Sequence, residues 1–368
     1  MKAISADLTY YEIASTSAFQ AAWGGVSTRK GILIEVSGED GSIGLGESAP
    51  LPGYSPDSLE DVGDVLQKCL ETLKGTTIPV DSRELPGIIE SFSKSGIDVH
   101  NYPSAVFGLE TAIADLAAKA GRLRLCKWLD SNAVESIPVN GLLSESSDLS
   151  VEIERFAKLG MGTLKVKVGS STAESDIERV VNIRNLIGSD TLIRLDANRS
   201  WDYATALRVL SHVKNLGISF VEEPLKLSDI DRIEELNAET GVYFGADESL
   251  ADPDLSSRML ESDSVTALIV KPGMIGGISE AMKLFKRAAE LDKSVAVTSM
   301  LELGVGVAAC AQLAAAYGVE ILPCGLDTLR FFSDSLIQEE FAVIDGHLRI
   351  PESTGIGVAL KHTAWMSG

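Results

Sequence analysis

The sequence predicts an α/β protein in which a closed parallel barrel of eight strands follows a smaller α+β unit. Three observations carry this. From about residue 135 onward, short apolar runs recur at intervals of 24 to 29 residues, the length that a βα repeat needs. Those runs are apolar enough to be buried on both faces, as parallel strands are. The first 125 or so residues have a different texture, strand-like and then helical.

Taken in order, "ISADLTYYEIA" and "GILIEVSGEDGSIGLGESA" read as strands, the second folding back through a Gly-rich turn. Helical patterns follow at about 57–75, 82–94 and 103–120. The last places Ala105, Leu109, Ala112, Ile113 and Leu116 at helical spacing. Residues 18–30, with Gly24, Gly25, Ser27 and Thr28, have the small-residue composition of a mobile lid loop. The barrel strands are "SIPVNGLL", "TLKVKVG", "TLIRLDAN", "ISFVEEP", "VYFGADES", "ALIVKPG", "SVAVTSM" and "GVEILPCGLDT". A doubly wound open sheet is the alternative, but no Gly-rich dinucleotide fingerprint follows the first strand. Beyond about residue 330 the pattern is less regular, and the hairpin-like "FAVIDGHLRIP" is expected to return to the first unit.

The chain of 368 residues holds 53 acidic and 32 basic side chains, a formal charge of −21. That excludes a general nucleic-acid binder, which needs a basic footprint, and a protein that docks on an anionic membrane. No apolar stretch is long enough for a membrane span. The first residues lack the basic start and apolar run of a signal peptide. Cys69, Cys126, Cys310 and Cys324 show no metal or disulfide spacing and read as reduced core residues of a cytoplasmic protein. The scattered His100, His212, His347 and His362 make a zinc site of the His/Cys type a poor fit.

The chemistry is expected at the C-terminal ends of the strands. On the second barrel strand, Leu164, Val166 and Val168 form one apolar face, so Lys165 and Lys167 point into the barrel. Paired lysines on a strand are usually solvated, but two interior ammonium groups must be paired or functional. A desolvated lysine beside another cation has a lowered pKa and can serve as a base. The next three strands end in acids: Asp196 followed by Asn198, then Glu222-Glu223, then Asp247-Glu248. One acid at a strand end is most often a helix cap. Three on neighbouring strands, about 4.8 Å apart, can converge on one hard cation such as Mg²⁺ or Mn²⁺. Spacing alone does not choose between Glu222 and Glu223. Lys271 ends the sixth strand and faces Lys167 across the mouth. The arrangement suggests abstraction of a proton α to a carboxylate, with a metal and one lysine stabilising the enediolate and the other lysine as base. "GMIGG" after Lys271 reads as a tight turn rather than a phosphate cradle.

"KVKVG", "RLDANRSW", "FVEEP", "DES", "IVKPG" and "TSMLELGVG", in this order, resemble the muconate-lactonizing branch of the enolase superfamily. The resemblance implies a (β/α)7β barrel over residues 126–334. It also implies an α+β capping domain over residues 1–125, completed by the tail 335–368. It implies Asp196, Glu222 and Asp247 as ligands of Mg²⁺, Lys167 as base, Lys165 beside it and Lys271 opposite. Asn198, Glu223 and Glu248 are expected behind the ligands, orienting them and the lysines.

Within the branch, "TRKG", "ESAPLPGYS", "YPSAVFGLETAIADL" and "GLDTL" look like o-succinylbenzoate synthase, a hydro-lyase of menaquinone and phylloquinone biosynthesis. "KPGMIGG" looks like the racemase group, and Leu303 departs from the synthase pattern. A dipeptide epimerase or N-acylamino-acid racemase is therefore the rival reading, and a non-catalytic barrel has no reason to keep five costly groups. The partner in either enzyme reading is a small-molecule carboxylate. Ser299, Met300, Gly325 and Asp327 are expected to line its pocket, with Gly325 letting a carboxylate approach the backbone. Arg29 either contacts a substrate carboxylate or stands on the surface. Trp201 reads as helix packing.

Overall fold

The computed structural model describes residues 1–21, 24–144 and 148–361, with the side chains of residues 17–26 left aside. Strands β1 (Ala3–Ala21), β2 (Gly24–Gly38) and β3 (Ile43–Ser48) form an antiparallel sheet in that order. The expected lid loop at 18–30 is instead the far part of the β1–β2 ribbon, paired through Phe19↔Val26 and Ala14↔Thr28. The run of β-forming residues from Val26 to Val36 keeps the strand going where glycine content alone suggested a loop. Residues 22 and 23 lie outside the description.

The helix Pro103–Ala120 packs on this sheet and is buried along nearly its whole length. Close packing explains two glycines. A Cβ on Gly46 would lie 2.0 Å from the Gly108 carbonyl oxygen, and one on Gly108 would lie 2.1 Å from Ser48 Oγ.

A short strand β4 (Ser136–Pro138) precedes β5 (Gly141–Leu143), β6 (Thr163–Lys167), β7 (Leu192–Asp196), β8 (Ile218–Glu222), β9 (Phe244–Ala246), β10 (Val265–Val270) and β11 (Ser294–Val297). From β5 to β11 these are parallel neighbours in sequence order. Residues 322–325 close the barrel. Leu322 and Gly325 donate to the Val295 and Val297 carbonyls at 2.7 and 3.0 Å, and Cys324 donates to Pro138 at 2.8 Å. Gly325 is required by this closure, because a Cβ there would meet Thr298 Oγ1 at 2.5 Å. This packing requirement stands beside the expected one, room for a substrate carboxylate.

Asp148, Thr172, Asp202 and Asp252 cap the helices that follow or flank the strands, each accepting from backbone N–H groups of the first turn. Inside the barrel, Phe220, Ala267 and Ile269 pack with Leu322. The Arg194 guanidinium lies 5.0 Å from the Phe220 ring centroid and donates to the Pro323 carbonyl at 2.7 Å.

The C-terminal segment forms the hairpin β12 (Val343–Ile344) and β13 (His347–Arg349), which pairs with β4. It then reaches the first unit, where Asp115 accepts from Leu45 N and Ile356 N, both at 2.7 Å. No described helix is long and apolar enough to cross a membrane. All four cysteines are free and buried.

Candidate active site

Sheet register assembles the site. Lys167 pairs with Asp196 across β6 and β7, and Asp196 pairs with Glu222 across β7 and β8. Asp247 follows directly after β9. All three acids are essentially inaccessible to solvent. One oxygen from each lies within 4.8 Å of the others.

The lysines supply the countercharge. Lys167 Nζ donates to Asp196 Oδ2 and Asn198 Oδ1, both at 2.6 Å. Lys165 Nζ reaches Glu222 Oε2 at 2.7 Å and Asp196 Oδ2 at 2.9 Å. Lys271 Nζ meets Asp247 Oδ2 at 2.5 Å and also contacts the Tyr54 hydroxyl.

Burial pulls the Lys165 ammonium down, but Asp196, Glu222 and Asp247 outweigh it and hold it above its ordinary pKa. Lys271 is likewise raised, with Asp247 and Glu248 overcoming desolvation. For Lys165 and Lys271 the expectation of a pKa lowered by a neighbouring cation is therefore corrected. Both ammonium groups lie in direct contact with carboxylates, at 2.7 Å for Lys165 and Glu222 and 2.5 Å for Lys271 and Asp247, and at such distances the opposite charge outweighs desolvation.

The acids diverge. Burial raises Asp196, yet Lys165, Lys167 and Lys271 bring it well below its ordinary range. Asp247 is pushed up to about 8 by burial, with Glu248 and Glu222 adding to it against the pull of Lys271 and Lys165. Asp247 Oδ1 is buried and has no hydrogen-bond partner. An orphaned oxygen in an all-oxygen triad is what a hard divalent cation would satisfy, so these residues fit a metal ion.

A support layer fixes the ligands. Glu223 Oε1 accepts from Asp247 N at 2.8 Å and Ser249 N at 2.7 Å, while Oε2 accepts from Ser249 Oγ and Arg199 Nε. Asn198 Nδ2 donates to Glu248 Oε1 at 2.7 Å, and the same oxygen accepts from Tyr54 OH at 3.1 Å. Asn198, Arg199 and Glu223 have φ values of 42°, 59° and 40°. Such left-handed positions cost about 1–3 kcal/mol each and cluster where a site over-determines the backbone.

A small chamber of about 70 Å³, open at its mouth, lies over these groups. A family model described as "Enolase C-terminal domain-like" matches residues 148–364, more than half of the chain. The chain belongs to the enolase superfamily. A second model, "MenC, N-terminal domain", matches residues 4–89. Chloromuconate cycloisomerase CbnB of Cupriavidus necator is 24% identical over 98% of this chain and 97% of its own length. The L-Ala-D/L-Glu epimerase of Bacillus subtilis is 27% identical over 86% of this chain and 85% of its own. The crystal structure of a dipeptide epimerase from Enterococcus faecalis complexed with Mg and L-Leu-L-Tyr has a TM-score of 0.87 at 24% identity. It covers 98% of this chain and 100% of its own. With relatives that are cycloisomerases and epimerases, this chain is an enzyme, and its acidic triad could hold a metal ion.

The enolase-superfamily chamber is lined by Lys165, Lys167, Lys271, Asn198, Ser299, Met300, Gly325 and Asp327, among others. Glu222, Asp247 and Glu248 touch its lining through Lys165, Lys271 and Asn198, and Glu223 stands behind Asp247. Arg29 does not line it. That residue is buried, and its guanidinium is occupied by backbone carbonyls, which corrects both expectations for it. Asp327 lines the chamber with its charge already met. Arg155 reaches Oδ2 at 2.9 Å and Arg330 reaches the same oxygen at 3.1 Å. Trp201 packs away from the site, with Nε1 donating to Asp176 Oδ2 at 2.9 Å.

Sequence reasoning missed Tyr54, Leu51, Leu142, Thr298 and Thr328 in the chamber wall. Tyr54 belongs to the "ESAPLPGYS" segment that carried part of the resemblance, and that was its only signal.

Proposed function

We propose that this protein is an o-succinylbenzoate synthase, removing water from a hydroxylated cyclohexadiene carboxylate that bears a succinyl chain. The observation that carries this choice is the match of residues 4–89 to the MenC N-terminal domain, which is that of o-succinylbenzoate synthase. The state of Asp327 supports it. An acid paired with two arginines offers little to the ammonium group of a dipeptide, and much less resistance to an anionic succinyl tail. In this reading residues 1–125 with the tail 335–368 form the cap, and residues 126–334 form the barrel.

Asp196, Glu222 and Asp247 would hold Mg²⁺ or Mn²⁺, which supplies positive charge beside the substrate carboxylate. Lys167, as the neutral amine, takes the proton α to that carboxylate. The electron pair left behind spreads into the carboxylate as an enediolate. Lys271, approaching from the other side, donates hydrogen bonds to the growing charge. Lys165, held between Asp196 and Glu222, adds a fixed cation behind Lys167. The pair then returns to the ring, the carbon–hydroxyl bond breaks, and the departing hydroxide takes the proton from Lys167 and leaves as water. The ring is then aromatic, which drives the step and makes this a hydro-lyase reaction. Asn198 holds Lys167 in place, Glu248 anchors Asn198 and Tyr54, and Glu223 holds the backbone of Asp247.

The second reading is a racemase or epimerase. Two lysines on one chamber can remove a proton from one face and return it to the other. The discriminating experiment offers the purified protein, with Mg²⁺, the diene substrate and separately a set of N-succinylamino acids and dipeptides in D₂O. The proposal predicts the highest kcat/KM for the diene. Deuterium at the α-carbon of an N-acylamino acid or dipeptide, with no diene turnover, would establish the rival.

A further inference from the structure

Arg29 lies on β2, and its side chain is only 1% exposed. A guanidinium presents five N–H donors in one fixed plane. Here every donor has a backbone carbonyl. Nε donates to Leu301 at 2.7 Å. Nη1 donates to Pro50 at 2.8 Å and to Lys30 at 3.3 Å. Nη2 donates to Met300 at 3.1 Å and also to Ala49. No donor is left for a substrate.

Apart from Lys30, the acceptors belong to two turns. Ala49 and Pro50 lead from β3 into the segment that carries Leu51 and Tyr54 over the chamber. Met300 and Leu301 follow β11 and line the chamber themselves. Neither turn is regular structure. Leu301 has a φ of 62°, a position that costs a leucine about 1–2 kcal/mol and needs outside support. The Met300 N–H goes to Glu302 Oε2 at 2.5 Å. Glu302 and Glu47, both buried nearby, offset the charge of Arg29. The acidic triad and the three lysines sit on β6–β10 and their ends, where Arg29 makes no hydrogen bond.

We propose that Arg29 is a positioning residue. It fastens the 49–50 turn of the first unit to the 300–301 turn of the barrel, and so sets the shape of the chamber wall that receives the apolar body of the substrate. The proposal rests on the chamber being the reaction site. A lysine cannot replace it, because an ammonium has three donors and no planar fork with which to span two turns.

The test uses Arg29→Lys and Arg29→Met in the full-length protein. Hydrogen–deuterium exchange by mass spectrometry follows peptides over residues 47–55 and 298–303. Exchange in both should rise about tenfold or more in each variant, with peptides from β6–β8 unchanged. Steady-state kinetics on any substrate the wild type turns over should show KM raised about fivefold or more and kcat within about threefold, because the reacting groups are held elsewhere. Arg29→Lys keeps the buried charge, so it remains informative if Arg29→Met does not fold. Unchanged exchange in both turns of a folded variant would overturn the proposal. So would a collapse of kcat at constant KM, or lower thermal stability with both turns and KM unaltered. If the wild type turns over none of the substrates, the functional reading fails by itself, and the exchange measurement still decides the role of Arg29.

Discussion

Lys167 and Asp196 are direct register partners on β6 and β7, and Lys167 Nζ lies 2.6 Å from Asp196 Oδ2. The proposed base is thus hydrogen-bonded to a proposed metal ligand. Lys165 shares that oxygen at 2.9 Å. One carboxylate therefore compensates two buried ammonium groups, and the electrostatic state of both lysines depends on it.

Lys167→Ala should abolish turnover while leaving the fold intact, because the side chain ends in the chamber and its removal leaves no buried charge unpaired that Lys165 does not also meet. Circular dichroism and Mg²⁺ titration calorimetry should resemble those of wild type, with kcat down by at least about a thousandfold. Full activity in this variant would remove Lys167 from the base role.

Asp196→Asn keeps the shape of the side chain and removes its charge. Removing one partner from a buried ion-paired cluster costs about 3–5 kcal/mol. Urea unfolding in EDTA should show a loss of that size, with Glu222 left to meet Lys165 alone. A change below about 1 kcal/mol would mean that the lysines are solvated and the cluster is not the buried unit described here.

Glu110 tests the seam between the two units. It lies on the buried helix Pro103–Ala120, and its Oε2 accepts from Ser279 N at 2.8 Å, at the start of the barrel helix Ile278–Glu290. Burial pushes its carboxyl from 4.5 up to about 7, against hydrogen bonds from Ser279 and with a small push from Glu280. Between those two values the folded protein keeps a proton that the unfolded chain has lost. Stability from this group therefore falls as pH rises through that window, and levels off above about 7. Glu110→Gln stays neutral throughout. Its stability relative to wild type should improve across the same window, by up to about 3 kcal/mol. A difference that does not change with pH would show that Glu110 is ionised in the folded protein.

Much of this arrangement was legible because strand alternation is strict. Leu164, Val166 and Val168 point outward, which leaves Lys165 and Lys167 no place except the interior. The same alternation sends Arg194 and Asp196 inward. The choice between Glu222 and Glu223 was not legible from spacing, since it depends on where β8 ends. Glu222 is still in register with Asp196, whereas Glu223 turns to a φ of 40° and reaches around to the Asp247 amide.

Arg29 was illegible for a different reason. Its acceptors are backbone carbonyls at positions 30, 49, 50, 300 and 301, and carbonyls carry no sequence signature. The raised pKa of Lys165 and of Lys271 was illegible for a related reason. Both are set by acids on other strands at distances that no local pattern encodes. Residues 18–30 have the composition of a loop through Gly24, Gly25, Ser27 and Thr28, yet the β-forming run beginning at Val26 continues the strand.

The most direct test of the central claim is a single ultraviolet assay. Purified protein with Mg²⁺ is given the hydroxylated cyclohexadiene carboxylate, and the absorbance of the aromatic product is followed before and after EDTA. The account predicts efficient turnover that stops on chelation and returns with Mg²⁺ or Mn²⁺. No turnover by a folded protein shown to bind metal would contradict it.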